Sequence, residues 1–381
     1  MSTDTNGGIK IAVVLSAVLG NRTISTRLLE SLQRLGRTLE NEIWLMNEDY
    51  RTYRAPGLIR RFSTLETAHV TSRKLADIAG PSPDVVIVNG YELALAAQRR
   101  FRDSRLVVAL DATPGLVWRL HGQTGEPLLR RTLKYPLAQL QHAQFARFAA
   151  KVWHWLPISN FCRDSLTDTY RVQPKACHVM RAPQVAIADM SATVVPARQR
   201  RRLLFVGNDF LRKGGDRLLQ AMGNQLAATC ELTIVSNDAT IGSLALPSNA
   251  RWLRGIQGPE QMGSVYREHD LLVLPTSYDI YPNVLCEALA QATPFLATGL
   301  PGIQELIGES NAGWTLPLHA SPEQIAAAVM GIDDLAAARP RALAYARENL
   351  TTAALDRSLS EILAAASVSS PQPDHPGQAL A

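Results

Sequence analysis

Apolar runs alternate with amphipathic stretches through the first half of the chain. Residues 9–15, 42–46, 85–88, 106–110 and 155–158 are continuous runs rich in leucine and β-branched residues, which suit strands buried on both faces. Between them, residues 26–35, 65–78, 93–100 and 137–151 have helical spacing. Strands alternating with helices predict a parallel sheet with helices on both sides. The alternation pauses at residues 183–202, APQVAIADMSATVVPARQRR, which have no clear period and read as a linker. It restarts with strands at 203–206, 232–235, 271–274 and 295–297, and helices near 214–222, 259–268, 283–291 and 322–331. Residues 288–304, punctuated by Pro294, Gly299, Pro301 and Gly302, read as loop and strand. Residues 342–365 read as one or two closing helices, and the Pro-rich end as a disordered tail.

The pattern therefore predicts an α/β protein with two doubly wound domains, residues 1–195 and 196–365, followed by a tail at 366–381. The last helices are candidates to pack back on the first domain. A length of 381 residues agrees with two or three domains. Charged residues make up 19%, too few for a disordered chain. Cys162, Cys177, Cys230 and Cys286 have neither metal-type spacing nor the density of a disulfide framework, and read as buried thiols in a reducing compartment. No apolar stretch reaches the 18–20 or so residues of a membrane span. The polar leader MSTDTNGG ahead of residue 9 reads as the approach to a first strand, not as a signal peptide. Charge is unevenly distributed. Residues 1–195 carry 25 Lys and Arg against 16 Asp and Glu, and residues 196–381 carry 14 against 18. The net +9 of the first half suits an acidic partner better than the net −4 of the second.

Ligands in open α/β sheets bind beyond the carboxyl ends of strands. Three common signatures are missing there: G-x-G-x-x-G, G-x-x-x-x-G-K-[ST] and any metal-type His/Cys/Asp cluster. Two other segments carry chemistry. In FVGNDFLRKGGDRLLQAM, residues 205–222, a strand leads into a turn with Gly207, Arg212, Lys213, Gly214 and Gly215, and a helix opens. Glycines admit a ligand close to the backbone, and adjacent cations suit a pyrophosphate. The alternative is a solvated Arg-Lys pair, although cations at a helix start oppose its dipole and an anion would relieve them. In residues 271–305 a loop with Asp279 leads through Pro282 and Asn283 into a helix with Glu287 on its first turn. Acids eight positions apart, one in the loop and one on the helix, can face one pocket. Helix N–H groups there suit phosphate, and carboxylates suit sugar hydroxyls. Taken singly, Glu287 could merely complement the helix dipole, and Asp279 could be a turn residue.

Together the two segments resemble the family-four retaining glycosyltransferases. Gly207, Lys213 and Gly214 match the phosphate loop, with Asn208 where arginine is usual and Arg212 supplying charge. Asp279 stands for the first acid of a Glu, seven residues, Glu pattern, and Glu287 for the second. Pro282, Asn283, Val284 and Leu285 match the loop whose amides meet the donor phosphate. Gly302 and Glu305 fit a Gly-Gly-x-x-Glu region in which Pro301 replaces one glycine. The resemblance implies the GT-B fold, two Rossmann-like domains facing across a cleft, the first binding acceptor and the second binding a nucleotide-diphosphate sugar. It implies Arg212, Lys213, Asp279 and Asp111 as catalytic groups, no cofactor and no obligate metal. The rivals are an epimerase or phosphorylase on the same fold, or a GT-B protein that binds a carbohydrate or partner without turnover.

The first half matches less sharply. Residues 157–183 resemble the usual serine-containing strand end, helix and Tyr-x-Val turn, which sets Ser159 and Asn160 at the cleft edge. Asp111 stands where many members carry a histidine, and a helix cap is its plainer reading. His121 falls in an expected loop, LHGQTGEP, as a surface or cleft histidine. Gly20 could let backbone approach the donor or simply make a turn. Residues 119–151 carry Arg119, Arg130, Arg131, Lys134, Arg147 and Lys151 against Glu126, interleaved with leucine and phenylalanine. They read either as a core helix with a solvated basic face, or as a surface for a lipid-pyrophosphate acceptor or an acidic membrane. These readings imply a cytoplasmic enzyme with peripheral contact at the inner membrane face, a carbohydrate or lipid-linked acceptor, and no nucleic acid.

Overall fold

A computed structural model of the chain describes residues 9–17, 21–46, 48–56, 63–78, 80, 82–123, 128–181, 186–188, 199–256 and 258–368. The chain divides into two compact units. The first is Met1–Trp118, Leu128–Ala182 and Thr352–Ala381, and the second is Arg119–Pro127 and Pro183–Thr351.

The first unit holds five parallel strands, β1 (Ile11–Ser16), β2 (Leu39–Leu45), β3 (Val85–Asn89), β4 (Arg105–Leu110) and β5 (His154–Pro157). Their order is β2-β1-β3-β4-β5. Of the five strands expected to be buried on both faces, β1 and β3 are buried at every residue and β4 and β5 at all but their first, whereas the edge strand β2 is only partly buried. The connecting helices are α1 (Asn21–Arg34), α2 (Asp49–Thr52), α3 (Ser63–Ala76), α4 (Tyr91–Arg100), α5 (Pro114–Gln123), α6 (Leu128–Ala149) and α7 (Asn160–Asp164). α6 begins well before the expected helix at 137. Its Phe145 and Phe148 pack with Tyr91 and Trp155 in one aromatic cluster. They belong to the core, while Tyr135, Leu137 and Leu140 on the same helix are exposed.

The second unit holds β6 (Arg201–Val206), β7 (Cys230–Val235), β8 (Ala250–Leu253), β9 (Leu271–Leu274), β10 (Phe295–Thr298) and β11 (Gly313–Leu316). All are parallel, in the order β11-β10-β9-β6-β7-β8. Its helices are α8 (Gly215–Gly223), α9 (Pro259–Arg267), α10 (Asn283–Ala290), α11 (Pro301–Ser310), α12 (Pro322–Met330) and α13 (Leu335–Asn349). Two expectations need correction. Strand β6 already begins at Arg201, inside the expected linker, and Ala188 of that linker is buried against Ala292 and Leu343. The segment expected to be loop and strand holds β10 and then the first residues of α11. Pro301 occupies the first turn of that helix, where a missing N–H costs nothing.

The closing helix α14 (Thr352–Val368) returns to the first unit. Leu355, Leu359, Ile362 and Leu363 form its buried stripe, and α1 presents Ile24, Leu28 and Leu32. Burying each such side chain stabilises by about 1.5–3 kcal/mol. Register is fixed by Asp356, which accepts hydrogen bonds from Arg34 Nε at 3.0 Å and Nη2 at 2.9 Å, and from the buried Ser31 hydroxyl. The four cysteines are free thiols. Among the described residues, no helix is long and apolar enough to cross a membrane, and no group of three or more His, Cys, Asp or Glu is arranged to hold a metal ion.

The hydrogen bonds from Arg34 hold the Asp356 carboxyl below the usual carboxylate range. Its contribution to stability is present above the ordinary carboxylate pKa of about 4 and is lost as pH falls through the lower folded value. Asp356→Ala is expected to remove about 1–2 kcal/mol at neutral pH, the scale of hydrogen bonds to a charged group. Urea unfolding at pH 7 and pH 3 checks this: the difference between variant and wild type should shrink at the lower pH.

Candidate functional site

In the second sheet β6 and β9 are neighbours, and the chain runs outward from them in opposite directions, through β7 and β8 on one side and β10 and β11 on the other. A crevice opens at such a reversal, and ligands of doubly wound sheets bind there. The two chemically marked loops of the sequence leave from these two strands.

The loop after β6 is shaped by three glycines. A Cβ on Gly207 would lie 2.3 Å from Lys213 Cδ, so its absence gives the lysine stem its course. Gly214, with φ +74, precedes α8 in the left-handed region, and a Cβ there would lie 2.2 Å from the Pro275 carbonyl oxygen. Gly215 lies flat against the Phe210 ring, 2.2 Å from a would-be Cβ. The two loops can approach this closely only because Gly214 has no side chain.

Polar contacts then join them. Lys213 Nζ donates to Asp279 Oδ2 at 3.0 Å, and Arg212 Nη1 stands 3.7 Å from the same oxygen. The Lys213 and Asp279 side chains are only 13% and 18% exposed. Arg212 also donates from Nε to Asp209 at 2.5 Å and from Nη1 to the Tyr278 carbonyl, while its own carbonyl accepts from Ser277 N–H at 2.9 Å. Thr276 Oγ1 donates to the Tyr278 carbonyl at 3.1 Å and lies 3.3 Å from Asp279 Oδ2. Arg217 on α8 donates to the Pro275 carbonyl at 2.5 Å and to that of Ala320 at 3.0 Å. Arg217 and Thr276 were not marked by the sequence reading. The signal was there for Arg217, a third cation four residues past Lys213 and just inside α8.

Asn208, where arginine was looked for, is exposed and accepts from the Asn237 N–H at 2.9 Å. It joins the loops after β6 and β7. Arg212 is the guanidinium that reaches Asp279. Helix α10 follows Pro282 with no side-chain cap, Asn283 and Val284 are half-buried, and Leu285 is buried. Glu287 is the fifth residue of α10, not on its first turn as expected, so dipole complementation does not account for it. It is 7% exposed and accepts from the Tyr266 hydroxyl at 2.7 Å. Burial and the adjacent carboxylate push the Tyr266 phenol well above its ordinary value, so it stays a neutral donor. Gly302 seats α11 against the same loop, a Cβ there falling 2.0 Å from the Ile280 carbonyl oxygen. Glu305 is half-buried one turn on.

In the first unit Asp111 is exposed at the carboxyl end of β4 and accepts from the Ala112 N–H at 2.8 Å. It is not the helix cap: Thr113 Oγ1 accepts from Leu116 N–H at 3.2 Å at the start of α5. Ser159 is fully buried, its hydroxyl accepting from Cys162 N–H at 3.0 Å as the cap of α7, and Asn160 follows half-buried. That serine hydroxyl is thus committed to the fold. His121 is on the last turn of α5 and not in a loop; it groups with the second unit, where its exposed ring stacks on Tyr278 at 4.9 Å. Gly20, Glu126 and the side chains of Arg130, Arg131 and Lys134 lie outside the described residues.

Residues 200–332 match the model of the family Glycosyl transferases group 1. That match lies wholly within the second unit. Over 136 residues, 33% of this chain, the sequence is 29% identical to lipopolysaccharide glucosyltransferase WaaG of Escherichia coli strain K12. Over 216 residues, 52% of this chain, it is 24% identical to α-D-kanosaminyltransferase of Streptomyces kanamyceticus. These matches span 36% and 55% of the relatives' own lengths. Among solved structures, sucrose-phosphate synthase from Thermosynechococcus elongatus superposes with a TM-score of 0.71 at 15% identity, covering 95% of this chain and 100% of that one. The crystal structure of WaaG gives 0.61 at 18% identity, covering 93% and 99%. The fold is GT-B.

Gly214→Ala combines positive φ with a backbone clash and is expected to cost about 2–3 kcal/mol. Gly36, with φ +63 and open space around it, is the control for strain alone, about 1–2 kcal/mol on alanine substitution. Urea unfolding of both variants checks the order.

Proposed function

We propose that the chain transfers a sugar from a nucleotide-diphosphate sugar to an acceptor hydroxyl, with retention of anomeric configuration. The observation that carries this is the Arg212–Lys213–Asp279 cluster between the two loops at the strand reversal. Both sequence relatives are sugar transferases by name, which supports the reaction class.

In this reading the diphosphate takes the place of Asp279 as the partner of Lys213 and Arg212. As the bond from the anomeric carbon to the diphosphate oxygen breaks, charge grows on that oxygen, and the two cations with the N–H groups at the start of α10 stabilise it. The acceptor oxygen bonds to the same face of the anomeric carbon and passes its proton to the departing phosphate. Asp279, released from the cations, orients hydroxyls of the donor sugar, and Glu287 holds the ribose. No carboxylate acts as nucleophile. The cations meet the electrostatic need that a metal ion meets elsewhere, so turnover is expected to survive a chelator. The resemblance also brings in Asp111 as a catalytic group near the reacting sugar and Asn160 on the acceptor side.

Lys213→Ala is expected to cut turnover by on the order of 100-fold or more. Unchanged turnover in a folded variant would remove the loop from the active site. Glu287→Ala is expected to weaken every donor sharing one nucleoside, whereas Asp279→Asn should reorder the preference among donor sugars. Equal losses independent of sugar would refute that division.

For the acceptor we propose a glycoconjugate with an anionic or lipid-linked group, met by the basic first half from the cytoplasmic side of a membrane. Support comes from the net +9 of residues 1–195 and from the exposed Tyr135, Leu137 and Leu140 on α6. Each cation near an anionic surface contributes about 1 kcal/mol, and salt screens it over about 8–10 Å. Cosedimentation with anionic liposomes at low salt, lost at high salt and absent with neutral liposomes, is the expected result.

A further inference from the structure

Glu287 is the most buried acid of the candidate site, and the sequence offers no reason why it should be held rigidly. The structure supplies one. Tyr266 is the eighth residue of α9, fully buried, with its hydroxyl 2.7 Å from Glu287 Oε2. Its own backbone is fixed as well, since the Tyr266 carbonyl accepts from the buried Thr293 hydroxyl at 2.8 Å, just past α10. The two contacts thus tie α9 to the middle of α10 and to the chain just past its end. A buried phenol oxygen needs a polar partner, and a buried carboxylate needs donors; here each meets part of the other's need.

We propose that Tyr266 is a positioning residue that fixes the Glu287 carboxylate for the nucleoside part of the donor. The proposal rests on the reading of Glu287 as the nucleoside-holding acid. Tyr266 touches neither phosphate nor sugar and acts through that carboxylate alone. A loosened carboxylate loses donor affinity, while the phosphate and sugar contacts that govern the chemical step stay in place. The consequence is a KM effect with little change in kcat, the same for every sugar carried on one nucleoside.

The test is a double-mutant cycle with Tyr266→Phe and Glu287→Gln, read by steady-state kinetics with several donor sugars and by calorimetry with the nucleoside diphosphate alone. Tyr266→Phe removes one oxygen and keeps the ring in the core. It is expected to raise KM about 10-fold for all sugars, to weaken nucleoside diphosphate binding equally, and to leave kcat within about 3-fold. In the Glu287→Gln background the same change should add under about 2-fold, because residues acting through one another are not additive. Full additivity, or a loss in kcat with KM unchanged, overturns the proposal. If Glu287→Gln itself leaves donor binding intact, the reading of Glu287 fails, and the positioning role with it. If Glu287→Gln weakens binding but Tyr266→Phe does not, only the positioning role fails. Should Tyr266→Phe not fold, Glu287→Asp takes its place, withdrawing the carboxylate from the phenol by one methylene with its charge intact. The same donor-wide KM rise is expected, and wild-type KM overturns the proposal.

Discussion

Lys213 and Asp279 are 66 positions apart in sequence and 3.0 Å apart in space. Most of the candidate site depends on that contact. Two adjacent cations repel each other and oppose the dipole of α8, at whose start they stand. One carboxylate, largely shielded from water, offsets this and draws the loop after β9 onto the loop after β6. The arrangement also suits exchange. A single carboxylate brings one negative charge, whereas a diphosphate brings two or more and several acceptor oxygens to the same cations. The site is therefore organised without a ligand, by a partner that the proposed diphosphate would displace.

Sterics make the electrostatics possible. Gly207, Gly214 and Gly302 each stand where a methyl group would meet a lysine stem or a carbonyl oxygen at 2.0–2.3 Å. Such approaches close the loops around the start of α10. The same loops are tied by hydrogen bonds to backbone carbonyls, from Arg217 to Pro275 and from Arg212 to Tyr278. These bonds hold the loop's path whichever partner Asp279 has.

The sequence made much of this legible, and the reasons for the remainder are physical. Buried parallel strands announce themselves as apolar runs, so β1, β3, β4, β6 and β9 were legible to within a residue or two. Strands β8 and β11 lie at the edges of the second sheet, only partly buried and mixed in composition, and were not. Helix α11 was hidden by Pro301 and Gly302, which look like loop punctuation but serve as a first-turn proline and a close-approach glycine. Loop chemistry was legible where residue types are rare and adjacent, as with Arg212 and Lys213. It was not where a common residue takes a structural duty: Asn208 pins a neighbouring loop, Ser159 caps a helix, and Thr113 takes the cap expected of Asp111. Tyr266 could not be found from spacing at all, because its partner is on another helix.

Burial separates the two acids that spacing paired. Glu287 is buried, is held by a neutral phenol, and lies past the first turn of a helix, so moving it means moving the helix. Asp279 sits in a loop, bonded to long flexible side chains that can exchange it for another anion. A rigid acid suits the part of a donor that stays the same from one sugar to the next. An acid held by exchangeable partners suits the part that varies, since its position can follow the ligand. Asp279 is also one methylene shorter than the glutamate the resemblance leads one to expect. Its reach into a sugar site is shorter by that amount, while its grip on Lys213 is complete. In the proposed reading, the shorter acid alters the sugar end of the donor site, while its contact with Lys213 keeps the phosphate end organised.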